Sequence, residues 1–163
     1  DKKLNYKKYS MAIKKFLKNR KSQIIFEPGR SIVGNIGTLI AKIIYIKKSE
    51  KKDFIILDTA MNDLMRPALY GATHKTLPSI KRNKKSNTTY EFVGPICEST
   101  DKFLSVKNYQ QLKEKDIIVI CDVGAYGMSL SSNYNIRLKP IELLISGSNI
   151  KVIKKRQKYN DLI

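Results

Sequence analysis

The run Glu27-Pro28-Gly29-Arg30 places an acid and a base on either side of a stiff residue and a permissive one. Proline fixes a backbone torsion, and glycine lets the main chain approach a ligand closely. Two interpretations are open. The four residues alone favour a strand-ending turn closed by a Glu27–Arg30 ion pair. The alternative is a loop that contacts a ligand.

Two other loops carry groups that could do chemistry. Cys97 follows Gly94-Pro95 and directly precedes Glu98, and this loop setting suits a reactive thiol. A cysteine is nevertheless more often a small buried hydrophobe. Tyr126 lies among small residues at positions 124–127, where its phenol either meets a ligand or packs in a turn.

Arg66 is flanked by apolar residues within a segment, 62–70, that predicts a short helical turn with Pro67 near its start. It is either a surface arginine or a fork for a carboxylate. His74 is the single histidine, and two cysteines distant in sequence do not complete a zinc site with it. We therefore predict no metal, and a hydrogen-bonded structural role for His74.

The predicted secondary structure that positions these residues differs between the first 37 residues and the rest of the chain. Residues 4–18 repeat apolar side chains at near-helical spacing: Leu4, Tyr9, Ala12, Ile13, Phe16 and Leu17. This amphipathic helix is followed by an apolar run at 23–26, which predicts a strand ending at Glu27. Helix, strand and functional loop in this order are typical of one unit of an α/β barrel.

Signals for β-strands dominate after residue 37. Strands are predicted at 38–47, 54–58, 90–93, 116–121, 141–146 and 149–153, the last two forming a hairpin around Gly147. Residues 74–89 predict a loop with an exposed basic tip. The predicted fold class is α+β: the tail of an α/β (TIM) barrel in residues 1–37, then an all-β barrel or sandwich domain in residues 38–163.

The composition narrows the class of partner. The net charge is +18, but lysine outnumbers arginine and is scattered along the chain. This favours a compositional bias on solvated faces over nucleic-acid binding, although a basic nucleic-acid-binding β domain stays an alternative. The apolar stretches are too short to cross a bilayer. Two cysteines without CxxC spacing favour a reduced, cytoplasmic protein.

Together, the motifs resemble those of the diaminopimelate decarboxylases, pyridoxal-phosphate enzymes in which an alanine-racemase-like barrel precedes a C-terminal β domain. The resemblance covers essentially the whole chain. It rests on Glu27-Pro28-Gly29-Arg30-Ser31, Met61-Asn62-Asp63-Leu64, Arg66-Pro67-Ala68-Leu69-Tyr70, Gly94-Pro95-Ile96-Cys97-Glu98-Ser99, Asp122-Val123-Gly124-Ala125-Tyr126-Gly127 and Ser131-Ser132-Asn133-Tyr134-Asn135. Ornithine and arginine decarboxylases share the first run but differ around the cysteine and Arg66, and are the alternative within the enzyme class.

The resemblance implies pyridoxal-phosphate-dependent conversion of meso-2,6-diaminopimelate to L-lysine and carbon dioxide, in lysine biosynthesis. The implied cofactor-binding residues are Glu27, Pro28, Gly29, Arg30 and Tyr126. The implied substrate-binding residues are Arg30, Arg66, Tyr70, Glu98 and Tyr126. The implied catalytic residue is Cys97, as the general acid that returns a proton to the α-carbon.

The same resemblance implies an obligate homodimer with shared active sites, in which Cys97 and Glu98 act in the neighbouring subunit's site. The family's cofactor-bound lysine belongs to the N-terminal two-thirds, and no lysine here has the required context. The chain begins at Asp1 rather than methionine, so the start of the gene product is expected to be missing. Because the cofactor-bound lysine is absent, the resemblance implies that the chain alone is inactive. A truncated gene product with only a structural role is a third hypothesis.

Overall fold

The first helix of the computed structural model agrees with the sequence prediction. The structure describes residues 5–163, so Leu4 lies outside the described residues. Helix α1 spans Tyr6–Leu17. The side-chain oxygen of Asn5 caps its amino end by accepting a hydrogen bond of 3.0 Å from the backbone N–H of Lys8. No helix within residues 5–163 is both long and apolar enough to span a bilayer.

The strand predicted at residues 23–26 is wrong, because residues 20–29 form neither helix nor strand. An apolar run becomes a strand only where a neighbouring backbone satisfies its hydrogen-bonding groups, and no strand of the described residues runs beside this one. Phe26 contacts Tyr9 of α1 instead, with 6.0 Å between ring centroids. Residues 6–29 therefore consist of one helix and a segment without regular secondary structure.

The rest of the described chain is mostly sheet, curled into a half-barrel. The strands are β1 (Thr38–Lys47), β2 (Lys52–Leu57), β3 (Thr76–Pro78), β4 (Thr89–Val93), β5 (Lys102–Val106), β6 (Ile117–Cys121), β7 (Glu142–Ser146) and β8 (Asn149–Lys154). Strands β1–β6 form one sheet in the order β3-β6-β1-β2-β4-β5, and β7 pairs with β8. Neighbours in the large sheet are antiparallel except β2 and β4, which are parallel.

All six strands predicted after residue 37 are confirmed, and a short helix α2 (Arg66–Tyr70) forms where a helical turn was expected. Gly147, with φ of +59°, turns the final hairpin. The domain boundary at residue 37 stays a prediction.

Two edge strands were missed. Strand β3 lies inside the segment predicted as a loop, and it pairs antiparallel with β6 through Thr76 opposite Ile120. Pro78 is tolerated there because it ends a short strand at the sheet edge. Strand β5 pairs with β4 and buries Phe103. Strands of three to five residues are too short to show a clear periodic signal.

The core lies over the central strands. The fully buried apolar side chains are Ile43, Ile55, Leu57, Leu64, Phe92, Ile118 and Ile120. The ring of Phe92 packs edge-on against Tyr109, with 5.4 Å between centroids. These side chains form the packed core of the large sheet, whose strands β1 and β6 lead into the loops of the candidate site.

Replacing Phe92 by alanine should lower the free energy of unfolding by about 3–5 kcal/mol, since it removes a fully buried ring and leaves a cavity. Urea unfolding followed by circular dichroism measures the change. Phe16→Ala on α1 is the matched control, because that ring is 52% exposed, and its effect should stay within about 0.5 kcal/mol. Equal losses in both variants would contradict this placement of the core.

Candidate active site

Arg30 fastens the loop before β1 to the loop after β6. Its Nη2 donates to the carbonyl oxygen of Asp122 at 2.9 Å, and its Nη1 lies 3.5 Å from the carbonyl oxygen of Ala125. The interpretation as a turn closed by a Glu27–Arg30 ion pair is wrong: no such ion pair forms within residues 5–163. The Glu27 carboxylate instead lies exposed at the rim of the loop.

Glycines bring these two loops backbone against backbone. The N–H of Val123 donates to the carbonyl of Gly37, and the N–H of Gly124 donates to the carbonyl of Gly34, both at 3.0 Å. A Cβ on Gly37 would lie 2.3 Å from the Gly124 backbone, and one on Gly124 would lie 1.9 Å from the Val33 carbonyl oxygen. Side chains are therefore excluded at both contact points.

This contact brings Tyr126 to the Glu27–Arg30 run. A Cβ on Gly29 would lie 3.2 Å from the Tyr126 hydroxyl oxygen, so that glycine leaves room for the phenol. Tyr126 has φ of +63° and Asp122 has φ of +61°. A bulky residue in the left-handed region costs about 1–3 kcal/mol. The surrounding contacts hold this strained turn, which aims a half-exposed phenol at Gly29.

Arg66 opens helix α2, and its guanidinium carbon lies 5.5 Å from the ring centroid of Tyr70, in cation–π contact. His74 follows on the way to β3 and is bound to the end of β6: its Nδ1 lies 2.9 Å from the carbonyl oxygen of Cys121. The sequence prediction of a hydrogen-bonded His74 is confirmed.

Both Arg30 and Arg66 influence the protonation of His74. Burial lowers the pKa of His74, its hydrogen bond to Cys121 opposes this, and the charges of Arg30 and Arg66 lower the pKa further. Both arginines therefore lie within electrostatic reach of one buried imidazole. The structure brings together Gly29, Arg30 and Tyr126, whereas no hydrogen bond or ion pair among the described residues joins Arg66 to them.

Cys97 and Glu98 lie on a separate loop, between β4 and β5, and both are exposed. The backbone N–H of Thr100 and the hydroxyl of Ser99 donate to Oε1 of Glu98, at 3.4 and 3.2 Å. These hydrogen bonds lower the pKa of Glu98, so it is a carboxylate at neutral pH. No hydrogen bond or ion pair within the described part of the chain joins this loop to Arg30 or Arg66.

Asp101 fixes the position of the Cys97 loop, and sequence reasoning missed it. It is 3% exposed. Its Oδ1 accepts from the N–H of Met61 at 2.7 Å, and its Oδ2 accepts from the N–H of Ile96 at 2.8 Å. A Cβ on Gly94 would lie 2.3 Å from this carboxylate. The segment before Arg66 and the loop of Cys97 are thereby held by one side chain.

Asn62 has a similar structural role in the neighbouring segment and is fully buried. Its Nδ2 donates to the carbonyl of Ser132 at 3.3 Å, and its Oδ1 accepts from Nε of Arg137 at 3.0 Å. Two of the motif runs, 61–64 and 131–135, thus meet through Asn62. Their polar residues hold loops in place.

Comparison with known proteins settles the family. Residues 9–124 match the family model described as "Pyridoxal-dependent decarboxylase, C-terminal sheet domain". The chain belongs to this family. Its sequence is 41% identical over 149 residues to diaminopimelate decarboxylase from Neisseria meningitidis serogroup B, covering 91% of this chain and 36% of that protein. The corresponding enzyme from Zymomonas mobilis is 42% identical over 157 residues, covering 95% and 36%.

A solved structure agrees. The crystal structure of diaminopimelate decarboxylase from Helicobacter pylori complexed with L-lysine superposes with a TM-score of 0.86 at 40% identity, covering 99% of this chain and 40% of that one. The family resemblance inferred from the motifs is confirmed. The chain spans little more than a third of the length of the curated relatives it matches (36%).

Replacing Asp101 by asparagine should lower stability by about 1–3 kcal/mol, because the new amide group faces one of two backbone N–H donors. Hydrogen exchange at the amides of Met61 and Ile96 should become faster, corresponding to a loss of protection free energy of the same size. The matched control is Asp161→Asn, whose exposed carboxylate accepts one backbone N–H, from Lys158. Unchanged exchange at Met61 and Ile96 in Asp101→Asn would contradict the clamp.

Proposed function

We propose that this chain is the C-terminal sheet domain of a diaminopimelate decarboxylase, a pyridoxal-phosphate-dependent carboxy-lyase that converts meso-2,6-diaminopimelate to L-lysine and carbon dioxide. The observation that carries the proposal is the contact of the Glu27–Arg30 run with the Asp122–Tyr126 turn. That contact brings the guanidinium of Arg30 and the phenol of Tyr126 to the run that begins at Glu27. The names of the relatives support the reaction.

The residues present fit pyridoxal phosphate. When bound, this cofactor supplies an electron sink for the pair released with carbon dioxide. The exposed Glu27 carboxylate would pair with the pyridine nitrogen, and Pro28 fixes its loop. Gly29, which has no side chain, and the nearby Tyr126 hydroxyl would border the cofactor's flat ring. The lysine that binds the cofactor covalently is expected in the barrel, so we propose that this chain alone is inactive.

The substrate's second amino-acid head would be recognised by paired charges. Arg66, held over Tyr70, would bind its carboxylate, and the ionised Glu98 would bind its ammonium group. Arg30 and Tyr126 would contact the end of the substrate nearer the cofactor. A site built for both charges penalises analogues that lack one, because the remaining polar groups are left unpaired.

Cys97 would return a proton to the α-carbon after carbon dioxide leaves. Its thiol is exposed on the β4–β5 loop, and no hydrogen bond or ion pair among the described residues joins that loop to Arg30 or Arg66. This exposure supports a homodimer in which the Cys97–Glu98 loop completes the site of the neighbouring subunit. We place the enzyme in the cytoplasm, where thiols stay reduced.

In the complete enzyme, meaning this domain together with its barrel, Cys97→Ala should reduce kcat by about 100-fold or more, as expected for loss of a general acid. Release of carbon dioxide from meso-diaminopimelate measures this rate. The matched control is Cys121→Ala, which removes the other free cysteine and should leave the rate near wild type. Near-normal turnover of Cys97→Ala would remove the thiol from the mechanism.

Mixing two inactive variants tests the shared site. Cys97→Ala and Arg66→Ala should each be impaired, and refolding them together should restore about a quarter of wild-type activity, because half the dimers are mixed and each has one intact site. Each variant refolded alone is the control. No recovery on mixing would place Cys97 and Arg66 in the same subunit's site.

A further inference from the structure

His74 is buried, yet one of its ring nitrogens lacks a partner. A backbone carbonyl can only accept, so Nδ1 carries the proton that it shares with Cys121, and Nε2 presents a lone pair. The residue is 4% exposed, and Nε2 has no partner among the described residues. A buried acceptor left without a donor costs about 1–3 kcal/mol. Such an atom requires an explanation.

Arg66 has the complementary deficiency. Its Nε is buried and lacks an acceptor within residues 5–163. In that part of the chain, Arg66 Nε and His74 Nε2 are the only buried side-chain nitrogen or oxygen atoms without a partner. One is a donor and the other an acceptor. The two residues are eight positions apart in the chain, and the charge of Arg66 contributes to lowering the pKa of the imidazole.

The charged groups that face His74 keep it an acceptor. Arg30 and Arg66 lower its pKa, adding to the larger effect of burial, while the hydrogen bond to Cys121 and the charge of Asp122 act in the opposite direction. The net shift is downward from 6.5, so the ring is neutral at neutral pH. Its orientation is fixed because Cys121 belongs to β6, inside the large sheet.

We propose that His74 is a positioning residue for substrate recognition: its Nε2 accepts a hydrogen bond from one water molecule, which in turn accepts from Nε of Arg66. This role deepens, and rests on, the proposed function of Arg66. A guanidinium can bind a carboxylate through Nε and one Nη, or through both Nη groups. With Nε held by His74, the pair of Nη groups is the edge presented to the substrate carboxylate. The ring of Tyr70, in cation–π contact with the same guanidinium, helps to fix its position from another side.

Two substitutions of His74 distinguish the role of Nδ1 as a donor from the role of Nε2 as an acceptor. In His74→Asn, the short amide can keep the donor to Cys121 but supplies no acceptor at the position of Nε2. In His74→Gln, the longer amide reaches that position and restores an acceptor. Both are made in the complete enzyme, in the wild-type background and again with Arg66→Lys, which has no Nε to orient.

The measurements are KM and kcat for meso-diaminopimelate, and the dissociation constants of L-lysine and of pyridoxal phosphate. His74→Asn should raise KM and the L-lysine constant about tenfold, with kcat and cofactor affinity within about twofold. His74→Gln should recover most of this loss. In the Arg66→Lys background, His74→Asn should change the L-lysine constant by less than about twofold, because the effect passes through Arg66.

Equal losses in both backgrounds would overturn the proposal, since His74 would then act independently of Arg66. Loss of kcat or of cofactor affinity instead of KM would also overturn it, as would wild-type KM in His74→Asn. A wild-type enzyme that releases no carbon dioxide from meso-diaminopimelate refutes the proposed function, and this inference with it. If the wild type is active but the effects of His74→Asn and Arg66→Lys simply add, only the inference about His74 is refuted.

Discussion

The arrangement of the site depends on one close contact between backbones, where the loop before β1 meets the turn after β6. Gly34 and Gly37 accept hydrogen bonds from Gly124 and Val123, and no side chain fits at Gly37 or Gly124. Because the main chains touch, Arg30 can reach the carbonyl of Asp122 and the phenol of Tyr126 can reach Gly29. A methyl group at this contact would separate the two halves of the proposed cofactor site.

Around that contact, the polar residues divide into those that hold loops and those that face solvent. Asp101 and Asn62 are buried and use their oxygen atoms on the protein's own donors. Glu27, Cys97 and Glu98 are exposed. The motif runs therefore contain two kinds of residue, and sequence proximity does not separate them: Asp101 lies only four positions from Cys97.

Much of the architecture was predictable from local patterns. The turn residue Gly147 located the final hairpin, and the spacing of apolar residues located α1. The strand at 23–26 was wrong because a strand depends on partners that its own residues do not specify, and β3 and β5 were missed because short edge strands have little periodicity. In the site, the run 27–30 was recognised. The hydrogen bonds of Arg30 could not be predicted, because the carbonyl of Asp122 that accepts from it lies 92 positions further along the chain. The orphaned atoms of Arg66 and His74 could not be inferred from spacing.

The parallel pairing of β2 with β4 has a consequence for how the molecule assembles. Two parallel neighbours need a connection that returns to the starting end of the sheet, and here that connection carries α2, His74 and β3 across to β6. We therefore expect the contact between the loop before β1 and the turn after β6 to form late in folding. Closing such a long loop is slow compared with forming a hairpin. During synthesis, the β1–β2 hairpin can form as soon as it emerges, whereas the ligand-facing surface has to wait until residue 126 has been made.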